Sequence, residues 1–138
     1  MIAGLVGGLR NGSAALAEPG ALAVCAQERV TRVRSNRSVE GGMPDLALDF
    51  LLRRQGRSRD DISRYVIAQS GESDDDAGLE RIDPHFAHAC TAYLTSPFSS
   101  AAIVVCDDEA PYVSVWRGRG PTIEPVAWPW AGPGLSAV

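Results

Sequence analysis

The sequence predicts a mixed α/β domain with its elements in the order βββ-α-β-α-βββ, and two observations lead to this prediction. Short apolar runs bounded by glycine, proline and polar residues occur near both ends of the chain, as is typical of strands. Between them lie two longer segments whose apolar residues recur at helical spacing. With 138 residues, 45% of them hydrophobic, the chain is expected to form a single domain over residues 1–138 with its own core.

Three strands are expected at the start of the chain. Residues 2–6 form an apolar run that ends at two glycines, and residues 13–17 and 21–26 form two more. Pro19 and Gly20 separate the last two runs and occupy the positions that a type II turn favours. The sequence therefore predicts three antiparallel strands, followed by an arginine-rich loop over residues 29–37.

A first helix is predicted to begin at Pro44, because proline suits the first helical position. Gly56 suits its C-cap, and the two arginines at 53 and 54 suit the negative end of the helix dipole. The apolar residues at helical spacing are Met43, Leu46, Ala47, Phe50 and Leu51. A brief buried strand over residues 65–68 follows. The polar loop over residues 71–78 contains three adjacent aspartates, which form a solvated loop or hold a hard cation.

The second predicted helix carries both histidines of the chain, His85 and His88. Residues three apart share a helical face, so both imidazoles can point at one site; ordinary hydrogen-bonded helix residues are the alternative. The two histidines flank an apolar stripe made of Phe86, Ala89, Cys90, Tyr93 and Leu94. Strands over residues 101–106, 112–116 and 122–127 complete the order. Trp128 and Trp130 then pack on this domain or on a partner.

The composition excludes several classes of function. A net charge of −4 with scattered basic residues argues against nucleic-acid binding. All 13 basic residues are arginine, which excludes a lysine nucleophile, a Schiff base and a P-loop lysine. The chain also lacks the Gly-x-Ser-x-Gly elbow of hydrolases and the glycine pattern of dinucleotide-binding folds.

The same composition predicts a cytoplasmic protein with no membrane partner. No apolar stretch approaches the roughly 20 residues of a membrane span. The first residues carry no basic segment before an apolar run, so no signal peptide is expected. The three cysteines, Cys25, Cys90 and Cys106, are far apart inside apolar runs and are expected to be buried free thiols.

Five segments, in order along the chain, resemble the motifs of one enzyme family. Residues 11–16 read NGSAAL after the opening run at residues 2–5, and residues 27–34 read QERVTRVR. Residues 85–98 read HFAHACTAYLTSPF, residues 104–107 read VVCD, and residues 115–118 read VWRG. The corresponding family motifs are HNGSAAL, EERFTRIK, HHLAHAASAYYPSPF, and VVDG followed by SVWRG. The chain thus resembles the N-terminal part of the O-carbamoyltransferases, which make carbamoylated antibiotics and nodulation factors and are related to tRNA threonylcarbamoyladenosine proteins.

The resemblance implies the first lobe of a ribonuclease H-like/actin-like ATPase fold, and a site shared with a partner chain. It implies a divalent metal (iron) and ATP as cofactors. His88 matches a metal-ligand position, and His85 can substitute for a second ligand by its helical spacing. The residues implied in binding substrate or nucleotide are Asn11, Ser13, Glu28, Arg29 and Arg32. The arginines among them suit phosphates, because guanidinium groups are fork-shaped donors.

Three departures from the family pattern weaken the expectation of activity. The family's histidine in the opening turn, thought to help deprotonate the acceptor hydroxyl, is Arg10 here, and arginine stays charged near neutral pH. The first histidine of the metal motif is Pro84, which has no side-chain donor atom. The turn after Asp107 contains no glycine over residues 108–111, so backbone approach to a phosphate is hindered. The chain is also several times shorter than the family's enzymes.

Three interpretations therefore remain. In the first, the chain is a small, non-catalytic subunit of a carbamoyltransferase-like complex in secondary-metabolite biosynthesis, where it stabilises or completes a catalytic homologue. Its partner is then a full-length carbamoyltransferase homologue, or a second copy through self-association. In the second, it is the N-terminal part of an active O-carbamoyltransferase, which transfers a carbamoyl group from carbamoyl phosphate, with ATP, to a hydroxyl. In the third, it is a fragment of a longer enzyme.

Overall fold

The computed structural model describes residues 1–7, 12–34, 43–69, 78–107 and 111–128. The chain divides into two compact units, Met1–Ile82 and Asp83–Val138. The first unit holds a mixed five-stranded sheet and the second a three-stranded sheet, which confirms the predicted α/β class. The expectation of a single domain stays a prediction.

The first unit is built on a sheet with the strand order β3-β2-β1-β4-β5. Strand β1 pairs antiparallel with β2 and parallel with β4, and β4 pairs parallel with β5. Gly20 has a φ of 77°, the positive value that a type II turn requires at this position, so the predicted turn between β2 and β3 is confirmed. The strands are β1 (Ile2–Val6), β2 (Ser13–Glu18), β3 (Ala21–Ala26), β4 (Arg64–Ala68) and β5 (Leu79–Ile82).

Helices α1 (Gln27–Thr31) and α2 (Asp45–Gln55) belong to the same unit, together with a 3-10 turn at Arg59–Asp61. The arginine-rich loop predicted from residue 29 is therefore wrong at its start, where the chain is still helical. Pro44 is the N-cap of α2 and not its first helical residue. Gly56 caps the other end with a φ of 64°, as predicted.

Helix α2 packs against one face of the five-stranded sheet through a stripe that partly matches the predicted one, since Ala47 and Leu51 are buried as predicted. Leu48 and Leu52 are buried, whereas Leu46 and Phe50 are exposed. Apolar residues occur on two sides of this helix, so periodicity alone does not decide between them. The core of the unit consists of Ala3, Leu5, Ala14, Leu16, Cys25, Ala47, Leu48, Leu51, Leu52, Ile62 and Ile67.

The second unit consists of α3 (Pro84–Leu94) and the antiparallel strands β6 (Ser100–Cys106), β7 (Val113–Arg119) and β8 (Thr122–Val126). The final three strands are thus confirmed near their predicted bounds. Helix α3 covers one face of this sheet, with Ala89 and Tyr93 packed on Ile103 and Val105. The opposite face carries a cross-strand row of three valines: Val104, Val115 and Val126.

Across the described ranges, no helix has the length and apolar character needed to cross a membrane.

Candidate functional site

The start of α3 is fixed by two residues that favour helix initiation. Asp83 is the N-cap, and its Oδ1 accepts a hydrogen bond of 2.8 Å from the backbone N–H of Phe86. Pro84 is the first helical residue, where its missing N–H costs nothing. Pro84 therefore helps to begin the helix.

His85 lies inside the second unit, between α3 and β7, and is 4% exposed. Its Nδ1 is 2.6 Å from Ser114 Oγ, and the same oxygen accepts a 2.8 Å hydrogen bond from Trp116 Nε1. The other ring nitrogen, Nε2, is buried and has no hydrogen-bond partner among the described residues. His85 is thus held in the packing between helix and sheet.

His88 lies on the exposed flank of the same helix, with a side chain that is 62% exposed. Its Nε2 is 3.6 Å from Oδ2 of Asp107, whose side chain is 22% exposed. Asp107 directly follows β6, and its backbone N–H donates to the carbonyl of Tyr112 over 2.7 Å. The two histidines therefore share a helix but have different partners and environments.

The pair formed by His88 and Asp107 is the best candidate for a metal site in the second unit. Imidazole and carboxylate are both common ligands of divalent first-row metals. Within the ranges that the structure describes, however, no group of three or more His, Cys, Asp or Glu side chains is gathered to hold a metal ion. The pair supplies two ligands, and the proposed use of His85 as a further ligand stays a prediction.

Ser114 and His85 do not form a hydrolase-type dyad, despite their short contact. In such a dyad a third group orients the base through its other ring nitrogen. Here that nitrogen, Nε2, is buried and makes no hydrogen bond in the described part of the chain. In addition, Trp116 donates to the serine oxygen that would have to act as nucleophile. The contact is therefore structural.

Ser13 lies at one end of the five-stranded sheet. It begins β2, opposite Val6 at the end of β1 and Ala26 at the end of β3. Val6 in turn pairs with Ala68, the last residue of the parallel strand β4. In open α/β sheets, ligands bind outside the carboxyl ends of the parallel strands. Ser13 therefore lies at the edge where such a ligand is expected.

Three more of the residues implied in binding substrate or nucleotide lie on α1 or at its C-cap, and α1 starts at this same end of the sheet: Glu28, Arg29 and Arg32. Glu28 is partly buried, whereas Arg29 and Arg32 are exposed. Arg32 is the C-cap, with a φ of 61°, and its backbone N–H bonds to the carbonyl of Glu28 over 2.9 Å. Neither guanidinium forms an ion pair with an acid within the described residues.

The cysteines differ in their surroundings. All three are free, as predicted, and Cys25 is buried. Cys106 is exposed, so the prediction of a buried thiol is wrong there, because its strand position faces away from α3. Cys90 is partly buried, and this burial raises the pKa of its thiol.

Several predicted features lie outside the described residues. These are Arg10, Asn11, the aspartates at 74–76, the turn residues 108–110, and Trp130. Trp128 is described and is exposed.

Sequence reasoning missed three residues that organise the two units. Asp107 was recognised in a motif but not as the partner of His88. Ser114 lies two residues before Trp116 on β7, and its contact with His85 depends on the packing of α3 on the sheet. Gln27 is 1% exposed, and its Oε1 accepts from the backbone N–H of Ala47 over 3.4 Å, which caps α2 from a distant part of the sequence.

No protein-family model matches the chain, and none of the curated proteins matches it either.

Proposed function

We propose that this chain is a small, non-catalytic subunit of a carbamoyltransferase-like complex in secondary-metabolite biosynthesis. In this proposal it has the first-lobe fold of the ribonuclease H-like/actin-like ATPases, and it stabilises or completes a full-length catalytic homologue. The observation that carries the proposal is the pairing of His88 with Asp107. The resemblance expects a metal ligand at His88, and the structure places a carboxylate 3.6 Å from its Nε2.

The number of ligands that His88 and Asp107 supply favours a metal site shared with a partner chain over one formed by this chain alone. Catalytic zinc sites use three protein ligands and leave one position open for water or substrate, and the facial triad of non-haem iron sites likewise supplies three. His88 and Asp107 supply two, so the remaining ligands would come from the partner. When bound there, the metal would supply Lewis-acid stabilisation of a developing negative charge. The chain's own contribution is to hold an imidazole and a carboxylate at one end of α3 and β6.

The substitutions at the other motif positions support a non-catalytic role. Arginine at position 10 cannot accept a proton from a hydroxyl near neutral pH, because its guanidinium stays charged. Pro84 contributes to the start of α3 and offers no ligand atom. The residues at these two positions therefore serve binding or folding and not proton transfer or coordination.

A second candidate is the N-terminal part of an active O-carbamoyltransferase, and a specific observation favours it. Arg29 and Arg32 lie at the carboxyl end of the parallel strands with no acidic partner in the described part of the chain. Planar guanidinium groups bind phosphate oxygens in a bidentate manner. ATP or carbamoyl phosphate is the ligand that this arrangement favours.

The test is co-expression of the chain with a full-length homologue that retains the complete histidine motif. Light scattering on a sizing column measures whether a complex forms. Consumption of carbamoyl phosphate in the presence of ATP is then compared for the homologue alone, for the complex, and for complexes that carry His88→Ala or Arg32→Ala. Thr91→Ala is the control, since Thr91 is exposed on α3 and its hydroxyl bonds to the carbonyl of Ala87 in its own helix.

Each outcome separates the candidates. A stable complex whose turnover exceeds that of the homologue and is insensitive to both substitutions identifies a stabilising subunit. Loss of turnover with His88→Ala or Arg32→Ala, but not with Thr91→Ala, identifies a chain that completes the site. If the chain neither binds the homologue nor alters its turnover, the subunit proposal is wrong.

A further inference from the structure

We propose that Ser114 is a positioning residue: through His85 it holds the N-terminal end of α3 so that His88 stays within reach of Asp107. The inference rests on the proposed function, because it assigns a purpose to the pair of His88 and Asp107. Ser114 itself touches neither of these residues in the described contacts. It acts through the imidazole of His85, 2.6 Å from its hydroxyl oxygen.

Helix α3 is attached to β7 at both of its ends. At the N-terminal end, His85 bonds to Ser114, and Phe86 packs on Trp116 with 5.5 Å between ring centroids. At the C-terminal end, the ring of Tyr93 lies directly over Gly118. His85 and Tyr93 are eight positions apart, which corresponds to about 12 Å along the helix. Ser114 and Gly118 are four positions apart, which corresponds to about 13 Å along the strand, so the two distances match.

The serine attachment is the one nearest to Asp107. Ser114 pairs across the sheet with Val105, and Asp107 follows two residues after Val105. His88 follows His85 by three residues, which places it one turn further along α3 and about 60° around the helix axis. A rotation or shift of this end of the helix therefore changes the distance from His88 to Asp107 directly. The contact of Tyr93 with Gly118 lies two helical turns from His85. A change there is expected to alter the distance from His88 to Asp107 less.

The hydrogen bonds at Ser114 leave the imidazole little freedom. The indole N–H of Trp116 can only donate, so it occupies one lone pair of the serine oxygen. The hydroxyl hydrogen is then available to Nδ1 of His85, which accepts it. Removal of the hydroxyl leaves a buried imidazole nitrogen and a tryptophan N–H without their partner. Unpaired buried polar groups are costly, so His85 is expected to change its position.

The test uses the full chain and NMR spectroscopy. The readout is the nuclear Overhauser effect between the ring protons of His88 and the β protons of Asp107, which needs no metal and no partner. We expect this effect in the wild-type chain and its loss in Ser114→Ala. Ser114→Thr keeps the hydroxyl and is expected to retain the effect.

Ser96→Ala is the matched control. Ser96 is also partly buried, and its hydroxyl donates to the carbonyl of Tyr93 over 2.7 Å, at the opposite end of α3. This variant is expected to lower the melting temperature about as much as Ser114→Ala but to keep the effect between His88 and Asp107. An effect that survives in Ser114→Ala, or that is lost equally in Ser96→Ala, overturns the inference.

Zinc titration by calorimetry distinguishes this inference from the proposed function. It uses Zn²⁺ alone, added to the complex of the chain with its homologue. Loss of a residue that orients a ligand typically weakens metal binding about 10-fold to 100-fold, and we expect that range for Ser114→Ala. If the wild-type complex binds no zinc, the proposed metal role of His88 is wrong, while the NMR result still decides whether Ser114 positions the helix.

Discussion

Gly118 lies directly beneath Tyr93, and the absence of a side chain there is what allows α3 to approach the sheet. A Cβ at this position would lie 2.7 Å from three carbon atoms of the tyrosine ring. The ring cannot easily move away, because Tyr93 is buried and its hydroxyl donates to the carbonyl of Ser99 over 2.8 Å. The glycine of the VWRG motif is therefore required by packing.

Gly118→Ala is expected to lower the free energy of unfolding by about 1–3 kcal/mol, the usual cost of forcing extra volume into a packed core. Gly4→Ala is the matched control. Gly4 also lies in a strand, but a Cβ there would meet its nearest neighbour at 3.9 Å, an ordinary contact. That variant is expected to be neutral or more stable by about 0.5–1 kcal/mol. Urea unfolding measures both, and equal destabilisation of the two variants would contradict the packing argument.

Gln27 shows how a buried polar residue can replace a local helix cap. Pro44, the N-cap of α2, makes no side-chain hydrogen bond, so the first turn lacks the usual local acceptor. Gln27 supplies one from 20 residues away, through its contact with the backbone N–H of Ala47. Glutamine is rarely buried without such a purpose.

Gln27→Leu is expected to destabilise the chain by about 1–3 kcal/mol, because it leaves a buried N–H of α2 without an acceptor. The rate of hydrogen exchange at the amide of Ala47 should increase by at least the factor by which the substitution increases the equilibrium constant for global unfolding. Gln55→Leu, at the exposed end of the same helix, is the control and is expected to change the stability by less than about 0.5 kcal/mol. Unchanged protection at Ala47 in Gln27→Leu would show that the hydrogen bond contributes nothing.

The two histidines show the limit of a sequence pattern at this scale. Spacing places both on one helix but does not decide which of them faces the sheet. His85 faces inward because β7 offers Ser114 as a hydrogen-bond partner, and that residue is 29 positions away in sequence. The partner of His88, Asp107, is likewise set by the sheet. The burial of His85 and the partner of His88 both depend on tertiary contacts, which the spacing of residues along one helix does not predict.

Among the elements, the strands with a strong apolar pattern were predicted close to their bounds, and three short elements were missed: α1, β5 and the 3-10 turn. Helix α1 has five residues and follows β3 without a break, so its sequence offers no separate start signal. Strand β5 has four residues, of which Glu80 and Arg81 are charged. It belongs to the sheet through its parallel pairing with β4. Its own sequence lacks the apolar alternation typical of strands.

The 3-10 turn at Arg59–Asp61 connects α2 to β4 and contains a reciprocal cap. Asp61 Oδ2 accepts from the backbone N–H of Ser58 over 2.8 Å and from its hydroxyl over 3.3 Å. The hydrogen bond from the Ser58 backbone is the main cause of a lowered pKa for Asp61. The carboxylate therefore favours the folded state in its charged form.

This lowered pKa sets the direction of a pH dependence. Because the folded pKa lies below the ordinary value of 3.8, the contribution is fully present above that value and is lost as the pH falls through the folded pKa. Wild type is thus expected to exceed Asp61→Asn in stability near neutral pH, and the difference should vanish in strong acid. Urea unfolding across this range measures it, with Asp60→Asn as the control for charge alone. A difference that is constant with pH would contradict the assignment.

At the scale of the whole molecule, the edges of the two sheets differ in how well they are protected from further pairing. The edge strand β5 carries Glu80 and Arg81, and the edge strand β8 carries Glu124 and Pro125. Charges and proline at an edge discourage the addition of another strand. The opposite edges, β3 and β6, have neither a charge nor a proline within their bounds.

Of these two edge strands, β6 is the one more prone to pair with another copy of the chain. It has seven residues, including the run Ile103-Val104-Val105, and it is the terminal strand of its sheet. Uncharged, β-branched segments at an open edge pair readily with identical segments. An antiparallel pairing of two copies centred on Val104 would keep Ile103 and Val105 on the face that α3 covers. The isolated chain is therefore expected to self-associate as its concentration rises.

Val104→Lys tests this expectation, because it puts a charge in the middle of β6. In a symmetric pairing the two lysines would lie opposite each other, which is unfavourable. Sedimentation at increasing protein concentration should show association weakened about tenfold or more, since tenfold corresponds to only about 1.4 kcal/mol. The matched control is Val126→Lys on the protected strand β8. Val126 lies on the same sheet face, and both valines flank Val115, so the two variants add the same charge beside the same neighbour, with Val104 the more exposed at 61% against 42% for Val126.

The comparison separates an edge contact from a face contact. If association proceeds through the open edge of β6, only Val104→Lys reduces it, and Val126→Lys behaves as wild type. If the valine row on the face opposite α3 drives association, both variants reduce it to a similar degree, and the edge argument is wrong. A chain that stays monomeric at all concentrations would show that β6 is already protected, and it would remove self-association from the partners that this chain is expected to have.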